Sequence, residues 1–376
     1  MGMAFRMVGR KFNFGIDIDD MWRFAGIPDP PSIVVPFLLS RPTITGKFAL
    51  PGGREKTRSE HDGQGHADSL ISQGNSHDIR RLTRSVALFL KDSGIDYVRC
   101  WFPWSFFEPR IGSKFSYPLD YFVHEMKKAD IGLVAVLGDG YSRFIPPNAK
   151  TDDLDSYVRQ LSGSSRKIVR HYKSRIDAWQ IENEPNAWPG HALAGWRSGS
   201  IWFDEKSQGK ILSALYGIVR KEAPGSEITI NIDYIGLDTD WKRYARYCDV
   251  MGIDFYPGYA NPFNTSLSIA KRIVGEAYAA TRMPIYIIET GYPSGPKVLA
   301  YSEQRQKEYV RSACVSAFSD RRVSGLGLYR FADSYWNSFP PMENYFGLLT
   351  AHGRAKPAWN EYVRQIGLAR RNRIKR

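Results

Sequence analysis

The sequence predicts a (β/α)8 barrel, and three observations carry that prediction. Short apolar, β-branched runs recur along nearly the whole chain, and amphipathic stretches at helical spacing separate them. No linker and no repeat of fixed period divides the 376 residues into two domains. A barrel of this length is ordinary as one unit, whereas the alternative, a doubly wound open sheet, rarely needs eight strands with polar chemistry spread over so many of them.

Taken in order, the strand candidates are KFNFGIDI (11–18), IDYVRCWF (95–102), GLVAVLG (132–138), IDAWQIE (176–182), EITINID (227–233), CDVMGIDFY (248–256), PIYIIET (284–290) and GLGLYRF (325–331). Each is short enough for a strand and rich in Ile, Val and aromatic residues. The helical candidates include DIRRLTRSVALFLKDSG, LDYFVHEMKKADIG and SEQRQKEYVRSACVSAFSD, several closing on Gly. The first connection is irregular: residues 20–76 run through DPPSIVVPFLLSRP and a Gly-rich polar segment before any convincing helix. Following a strand, this enlarged loop is expected on the C-terminal face of the barrel, as a lid or wall over the mouth.

Composition narrows the function. Aromatic residues make up 14% of the chain, with 10 Trp and 21 Tyr, which favours flat ligands such as sugar rings. The three cysteines, Cys100, Cys248 and Cys314, are odd in number and far apart, so neither a disulfide framework nor a zinc site is expected. A net charge of +13 favours a polyanionic partner, but the charge is diffuse. Its densest cluster, ARRNRIKR at 369–376, lacks interleaved aromatics and reads as a solvated basic tail, not a nucleic-acid contact. MGMAFRMVGRKFNFG has no apolar core of signal-peptide length, and no run approaches 18 apolar residues, so a cytoplasmic protein without a membrane span is expected unless a leader has been removed.

Several motifs fail on inspection. GLVAVLGDGYSR imitates the start of a dinucleotide fingerprint, but its third glycine position is Arg143, and Pro146 and Pro147 interrupt the helix that should receive a pyrophosphate. GGREKT lacks P-loop spacing, and no GxSxG elbow or HExxH pair is present. HDGQGH reads as a solvated loop. No metal and no organic cofactor are expected.

Two carboxylates stand out instead. Glu184 closes the fourth strand in ENEPN and Glu289 closes the seventh in ETGYPS, each after an apolar run and before a Pro- or Gly-containing break. In a barrel both project from the C-terminal rim toward one cavity. At a separation of about 5 to 5.5 Å such a pair performs retaining glycoside hydrolysis. Around them Trp101, Trp104, Trp188, Tyr292 and Trp336 follow strand ends, where ring faces can stack on sugars.

These motifs resemble the clan A glycoside hydrolases, (β/α)8 enzymes with an Asn-Glu pair ending strand four and a nucleophilic Glu ending strand seven. NEP at 183–185 matches the first signature; ETGYPS at 289–294 and the stretch FADSYWNSFPPMENYFGLLTAHGRAKPAW are similar to the β-1,3-glucanase-like branch, family 17 and its neighbours. The resemblance spans all eight strands, although only two motifs are tight. It implies a retaining glycosidase acting on a β-glucan or exopolysaccharide, with Glu184 as general acid/base and Glu289 as nucleophile. Asn183 would bind the sugar 2-hydroxyl, Tyr256 would donate to the nucleophile, and Arg99 would keep it ionised. The aromatic floor of the cleavage subsite falls to Tyr329 or Phe331. Transglycosylation uses the same residues, and a non-catalytic carbohydrate-binding protein on this fold remains the alternative from another class. The positive charge adds an expectation of an acidic glycan.

Glu182, two residues before Glu184, would share its face on a regular strand and point into the barrel one layer deeper. It is expected either as a floor residue paired with Arg99 or as an acceptor for a sugar hydroxyl.

Overall fold

A computed structural model describes residues 13–18, 76–138, 144–234, 239–259, 261–334 and 341–374. Eight parallel strands close a barrel in sequence order: β1 Asn13–Ile18, β2 Tyr97–Trp101, β3 Gly132–Val136, β4 Ala178–Asn183, β5 Glu227–Asp233, β6 Val250–Phe255, β7 Ile285–Thr290 and β8 Val323–Leu328. The seam is β8 on β1, with Asn13 opposite Gly325 and Ile16 opposite Leu328. The expected last strand was placed two to three residues too late; pairing with β1 and β7 begins at Val323 and ends at Leu328, which puts Tyr329 beyond the strand.

The described helices are α1 Ser76–Asp92, α2 Trp104–Phe107, α3 Asp120–Lys128, α4 Leu154–Tyr172, α5 Trp188–Leu193, α6 Glu205–Glu222, α7 Trp241–Ala245, α8 Ser268–Thr281, α9 Glu303–Ser319 and α10 Pro357–Ile374. Their starts follow from capping chemistry. The Asp204 side chain accepts from the Ser207 amide at 2.8 Å to open α6, and Ser302 accepts from the Arg305 amide at 3.2 Å to open α9. On α6 the buried residues Ile211, Leu212, Leu215, Ile218 and Val219 form one stripe against the barrel, and each such side chain contributes about 1.5 to 3 kcal/mol on burial. No helix among the described residues is long and apolar enough to cross a membrane.

The barrel has two apolar layers. Between strands and helices lies the larger one; inside, Tyr97, Val134, Ala178, Val250, Tyr286 and Ile288 fill the floor. Tyr97 and Tyr286 meet edge to face at 5.5 Å. Glycine makes their room: a Cβ on Gly15 would lie 2.0 Å from the Tyr97 ring, and one on Gly325 2.0 Å from the Tyr286 ring. The floor is therefore closed from below, and polar inward residues collect at the upper, C-terminal end.

The basic tail is not simply a solvated end. Its first residues continue α10, where Arg370 bonds the Gly94 carbonyl at 2.6 Å and Asp96 at 3.0 Å, while Tyr362 donates across the seam to the Gly15 and Leu326 carbonyls. Among the described residues, Cys100, Cys248 and Cys314 are buried free thiols, and burial pushes all three upward in pKa. The enlarged first loop at 20–76 lies, apart from Ser76, outside the described residues.

Candidate active site

Arg99 organises the upper barrel. Wholly buried on β2, its guanidinium donates to Asp17 on β1, to Gln180 Oε1 at 2.6 Å, to Asn183 Oδ1 at 2.8 Å and to Glu289 Oε1 at 2.7 Å. The planar fork suits four acceptors spread over three strands, which a lysine could not serve. Trp101, two residues on, covers the guanidinium at 4.9 Å.

Glu289 is held from three sides by donors. Besides Arg99, Asn231 Nδ2 donates to Oε1 at 2.9 Å and the Tyr256 hydroxyl donates to Oε2 at 2.7 Å. Burial and the Glu289 charge push the Tyr256 phenol well up, so it stays protonated and able to donate. Asn183 Oδ1 accepts from Arg99, from Gln180 Nε2 at 3.1 Å and from Asn231 Nδ2 at 2.9 Å, which leaves its Nδ2 as the group to offer a ligand.

Glu184 sits at the rim in a left-handed conformation, φ 48° and ψ 49°, just past β4. Asn186 locks this turn by donating to the Asp233 carbonyl at 2.6 Å and accepting from the Asp233 amide at 3.2 Å. His191 Nε2 lies 3.2 Å from Glu184 Oε2, and Trp196, with 38% of its surface exposed, packs its ring 5.3 Å from that imidazole. One carboxylate oxygen from each of Glu184, Asp254 and Glu289 lies within 4.8 Å of the other two. Burial, reinforced by the charges of Glu184, Asp233 and Glu289, pushes Asp254 well up; Asp233 is raised by burial and by Glu184 and Glu289. Burial acts on Glu184 in the same sense, but hydrogen bonds from His191 and Asp254 outweigh it and hold this carboxyl down.

The acid trio is the one grouping among the described residues with spacing a cation could use. Its donor set is not that of a metal site, because Arg99 already supplies the positive charge at Glu289 and His191 engages Glu184.

The structure places Glu182 elsewhere than expected. The register of β4 against β5 shifts between Gln180 and Asn183, so inward positions run Ala178, Gln180, Asn183 and the alternation breaks. The Glu182 carboxyl turns toward the helix layer: a Cβ on Gly138 would lie 2.9 Å from Glu182 Cδ and 2.8 Å from Leu215 of α6. Its Oε2 accepts from the Asn183 amide at 2.9 Å, and burial raises its pKa to about 7 against the opposing charge of Arg197. The expected pairing with Arg99 is replaced by these partners.

Most of the expected stacking aromatics are packing residues. Trp104 is buried, with Nε1 on Glu108 at 2.9 Å and its ring against Tyr157. Trp188 is fully buried behind the site and donates to the Asn183 carbonyl at 3.1 Å. Tyr292 packs with Tyr301 and Tyr309 in a separate cluster and donates to the Pro262 carbonyl. Phe331 points outward between Phe89 of α1 and Trp359 of α10. Tyr329 takes the rim position instead, 5.8 Å from the Tyr256 ring and 5.4 Å from Phe346, its hydroxyl donating to Glu343 at 3.5 Å. Trp336 lies outside the described residues. Sequence reasoning missed Asp17, Gln180, His191, Trp196, Asn231 and Asp254, and of its two rim alternatives, Tyr329 and Phe331, the structure favours Tyr329. A polar residue near the end of an apolar strand was the available signal for Asp17, Asn231 and Asp254.

A closed parallel barrel with an arginine-clamped glutamate facing a second glutamate across its C-terminal mouth defines a paired-carboxylate (β/α)8 site. No protein-family model matches the chain, and no curated protein sequence matches it. Solved structures do. A GH5_18 protein from Streptomyces cattleya, in complex with GlcNAc, aligns at TM-score 0.65 and 18% identity over 77% of this chain and 75% of its own. The exo-β-1,4-mannosidase Op5Man5 from Opitutaceae bacterium strain TAV5 aligns at 0.61 and 18%, covering 82% and 57%. The AHE enzyme of Alicyclobacillus herbarius aligns at 0.62 and 15%, covering 96% and 99%. At such identities the likeness shows the shared barrel fold.

Proposed function

We propose that this chain is a retaining glycosidase in which Glu289 is the nucleophile and Glu184 the acid/base. One observation carries the reading: two rim carboxylates with oxygens within 4.8 Å of each other face one mouth with different partners. Glu289 is surrounded by donors, whereas Glu184 is set beside a carboxyl that burial favours in its protonated form. Oxygens this close favour the shorter carboxyl separation of a retaining pair over the longer one of an inverting pair. Glu289 would attack the anomeric carbon as Glu184 protonates the departing oxygen; Glu184 then draws a proton from the water that releases the sugar. Asn183 Nδ2 is positioned to donate to a sugar hydroxyl beside the nucleophile.

For the substrate we propose a neutral β-linked glycan. The expectation of an acidic one rests on the overall charge, yet the described mouth presents Glu184, Glu289 and Glu343, while Arg99 is committed to Asp17 and Glu289. A second anion there would meet repulsion. Similar barrels do not decide between the two, since a mannosidase and a GlcNAc complex stand beside a β-galacturonidase bound to galacturonate and a β-glucuronidase, so the neutral reading rests on the charges of the mouth itself. Membership of the family 17 branch rests on ETGYPS and the segment after β8.

The experiment is a panel of aryl β-glycosides, neutral and uronic, assayed at low and high salt with Glu289→Ala and Glu184→Ala beside the wild type. Loss of all turnover in Glu289→Ala, and a loss in Glu184→Ala that grows as the leaving group worsens, are expected. Full turnover by Glu289→Ala would end the mechanism, and preference for the uronic substrate would end the neutral-glycan reading.

A further inference from the structure

Asp254, on β6, is completely enclosed, and nothing in the double-displacement scheme uses it. Its Oδ2 accepts from Asn231 Nδ2 at 3.1 Å, while Oδ1 has no hydrogen-bond donor among the described residues. The groups facing it are Glu184 past β4, Asn231 and Asp233 on β5, Tyr256 just past its own strand and Glu289 on β7; Arg99 pairs with Asp17 and Glu289, and His191 and Arg197 act on Glu184. A buried carboxylate without a cation is costly, and two carboxyl oxygens in contact repel unless a proton lies between them. The Asp254 and Glu184 carboxyls face each other with oxygens no more than 4.8 Å apart, and each acts on the other's protonation.

We propose that Asp254 is a positioning residue that holds the proton Glu184 uses: the two carboxyls share one proton, stored on Asp254 in the free enzyme. The idea rests on the glycosidase reading and extends it. In the free enzyme Asp254 is neutral and donates its O–H to the Glu184 carboxylate, while Glu289 is ionised. As the glycosidic bond breaks, the Asp254 proton moves to Glu184, which hands it to the departing oxygen, and a Glu289 oxygen bonds to the anomeric carbon. The charge count is unchanged, because Glu289 loses its charge on becoming an ester as Asp254 gains one. Losing the Glu289 charge also removes part of what held the proton on Asp254. In the second half water attacks the anomeric carbon, its proton passes through Glu184 to Asp254, and Glu289 leaves as a carboxylate.

Asp254→Asn keeps the shape and the acceptor for Asn231 but carries no transferable proton. On a methyl β-glycoside, whose departure needs full protonation, kcat/KM should fall about 100-fold, within the range for a general acid. On the 2,4-dinitrophenyl β-glycoside of the same sugar the first step should change less than about 3-fold, since that group leaves without a proton. The alkaline limb of the pH profile should move to lower pH. Equal losses on both substrates with an unshifted alkaline limb would mean a packing role and overturn the proposal. If Glu184→Ala shows the leaving-group split and Asp254→Asn does not, only the Asp254 assignment fails; if neither shows it, the glycosidase reading fails. A readout independent of turnover uses enzyme labelled with carbon-13 at the Asp carboxyls, the Asp254 resonance being assigned by its loss in Asp254→Asn. It should remain at the protonated shift at pH 6, where ordinary aspartates are ionised. A resonance that titrates below pH 5 would refute the stored proton.

Discussion

Glu182→Gln separates the two glutamates of ENEP by a sign as well as a size. In the folded protein burial raises Glu182 from 4.5 to about 7, so the native state holds a proton that the unfolded chain releases. Stability is therefore lost as pH rises from the unfolded value through about 7, and the full cost is present above it. A shift of this size corresponds to roughly 3 kcal/mol near and above pH 7, and to about 1 kcal/mol at pH 5. Glutamine keeps the acceptor for the Asn183 amide and removes the charge, while Arg197 keeps its place 5.1 Å from both the Trp188 and Trp202 rings. With 376 residues the unfolding entropy is ~0.8 kcal/mol/K, so the variant should melt about 4 °C higher than wild type at pH 8 and about 1 °C higher at pH 5. Scanning calorimetry from pH 5 to 8.5 reads the difference, and a steady-state assay on the same samples should find kcat/KM within about 3-fold of wild type, as expected for a residue outside the mouth. A melting-point gain independent of pH, or a loss of activity matching that of Glu184→Gln, would refute the placement of this carboxyl.

Removing the guanidinium in Arg99→Met leaves Asp17 and Glu289 buried without their cation, a change that costs about 3 to 5 kcal/mol. Chemical denaturation should show that loss at pH 7.5 and a smaller one at pH 5, where protonation neutralises the orphaned acids; a midpoint equal to wild type at both values would contradict the clamp. Tyr256→Phe removes a hydroxyl donor to Glu289 Oε2 and should lower kcat about 10- to 100-fold, with a melting point within about 2 °C of wild type. Tyr329→Ala should raise KM for an oligosaccharide several-fold with little change in stability, whereas Phe331→Ala should cost about 3 to 5 kcal/mol of stability and leave KM alone; the reverse pattern would reassign the rim.

What the sequence displays and what it conceals divide along physical lines. Strand and helix periods reveal the barrel, because a residue buried on both faces of a parallel sheet must be apolar whatever its neighbours are. The convergence of Glu184, Glu289, Asn183, Arg99 and Tyr256 is legible because each lies in or just past the C-terminal half of a strand, and closure of the barrel brings those ends together without further information. The aromatics are not. Trp104, Trp188, Tyr292 and Phe331 follow strand ends as a stacking platform would, yet a ring just past the rim can turn inward to the mouth or outward to the helices, and local spacing does not distinguish the two. Phe331 and Tyr329 show this most directly: they are two residues apart, one against Phe89 and Trp359, the other against Tyr256.

The site is concentrated where the period of two fails. Of three register shifts in the barrel, one falls between Gln180 and Asn183 and another at Ile253 and Asp254, opposite Glu289. A regular β4 would aim Glu182 into the mouth and turn Asn183 away; the extra residue reverses both, delivering the Asn183 amide to Arg99 and Asn231 and sending Glu182 to the helix layer. Bulges re-aim side chains in this way beside active sites, at the expense of ladder hydrogen bonds. The left-handed turn at Glu184 then carries its carboxyl back over the barrel, against Asp254. One inserted position on β4 thus decides which member of the doublet faces the substrate, and an alternation argument must assign Glu182 to the wrong face because it assumes the regularity that the site abandons.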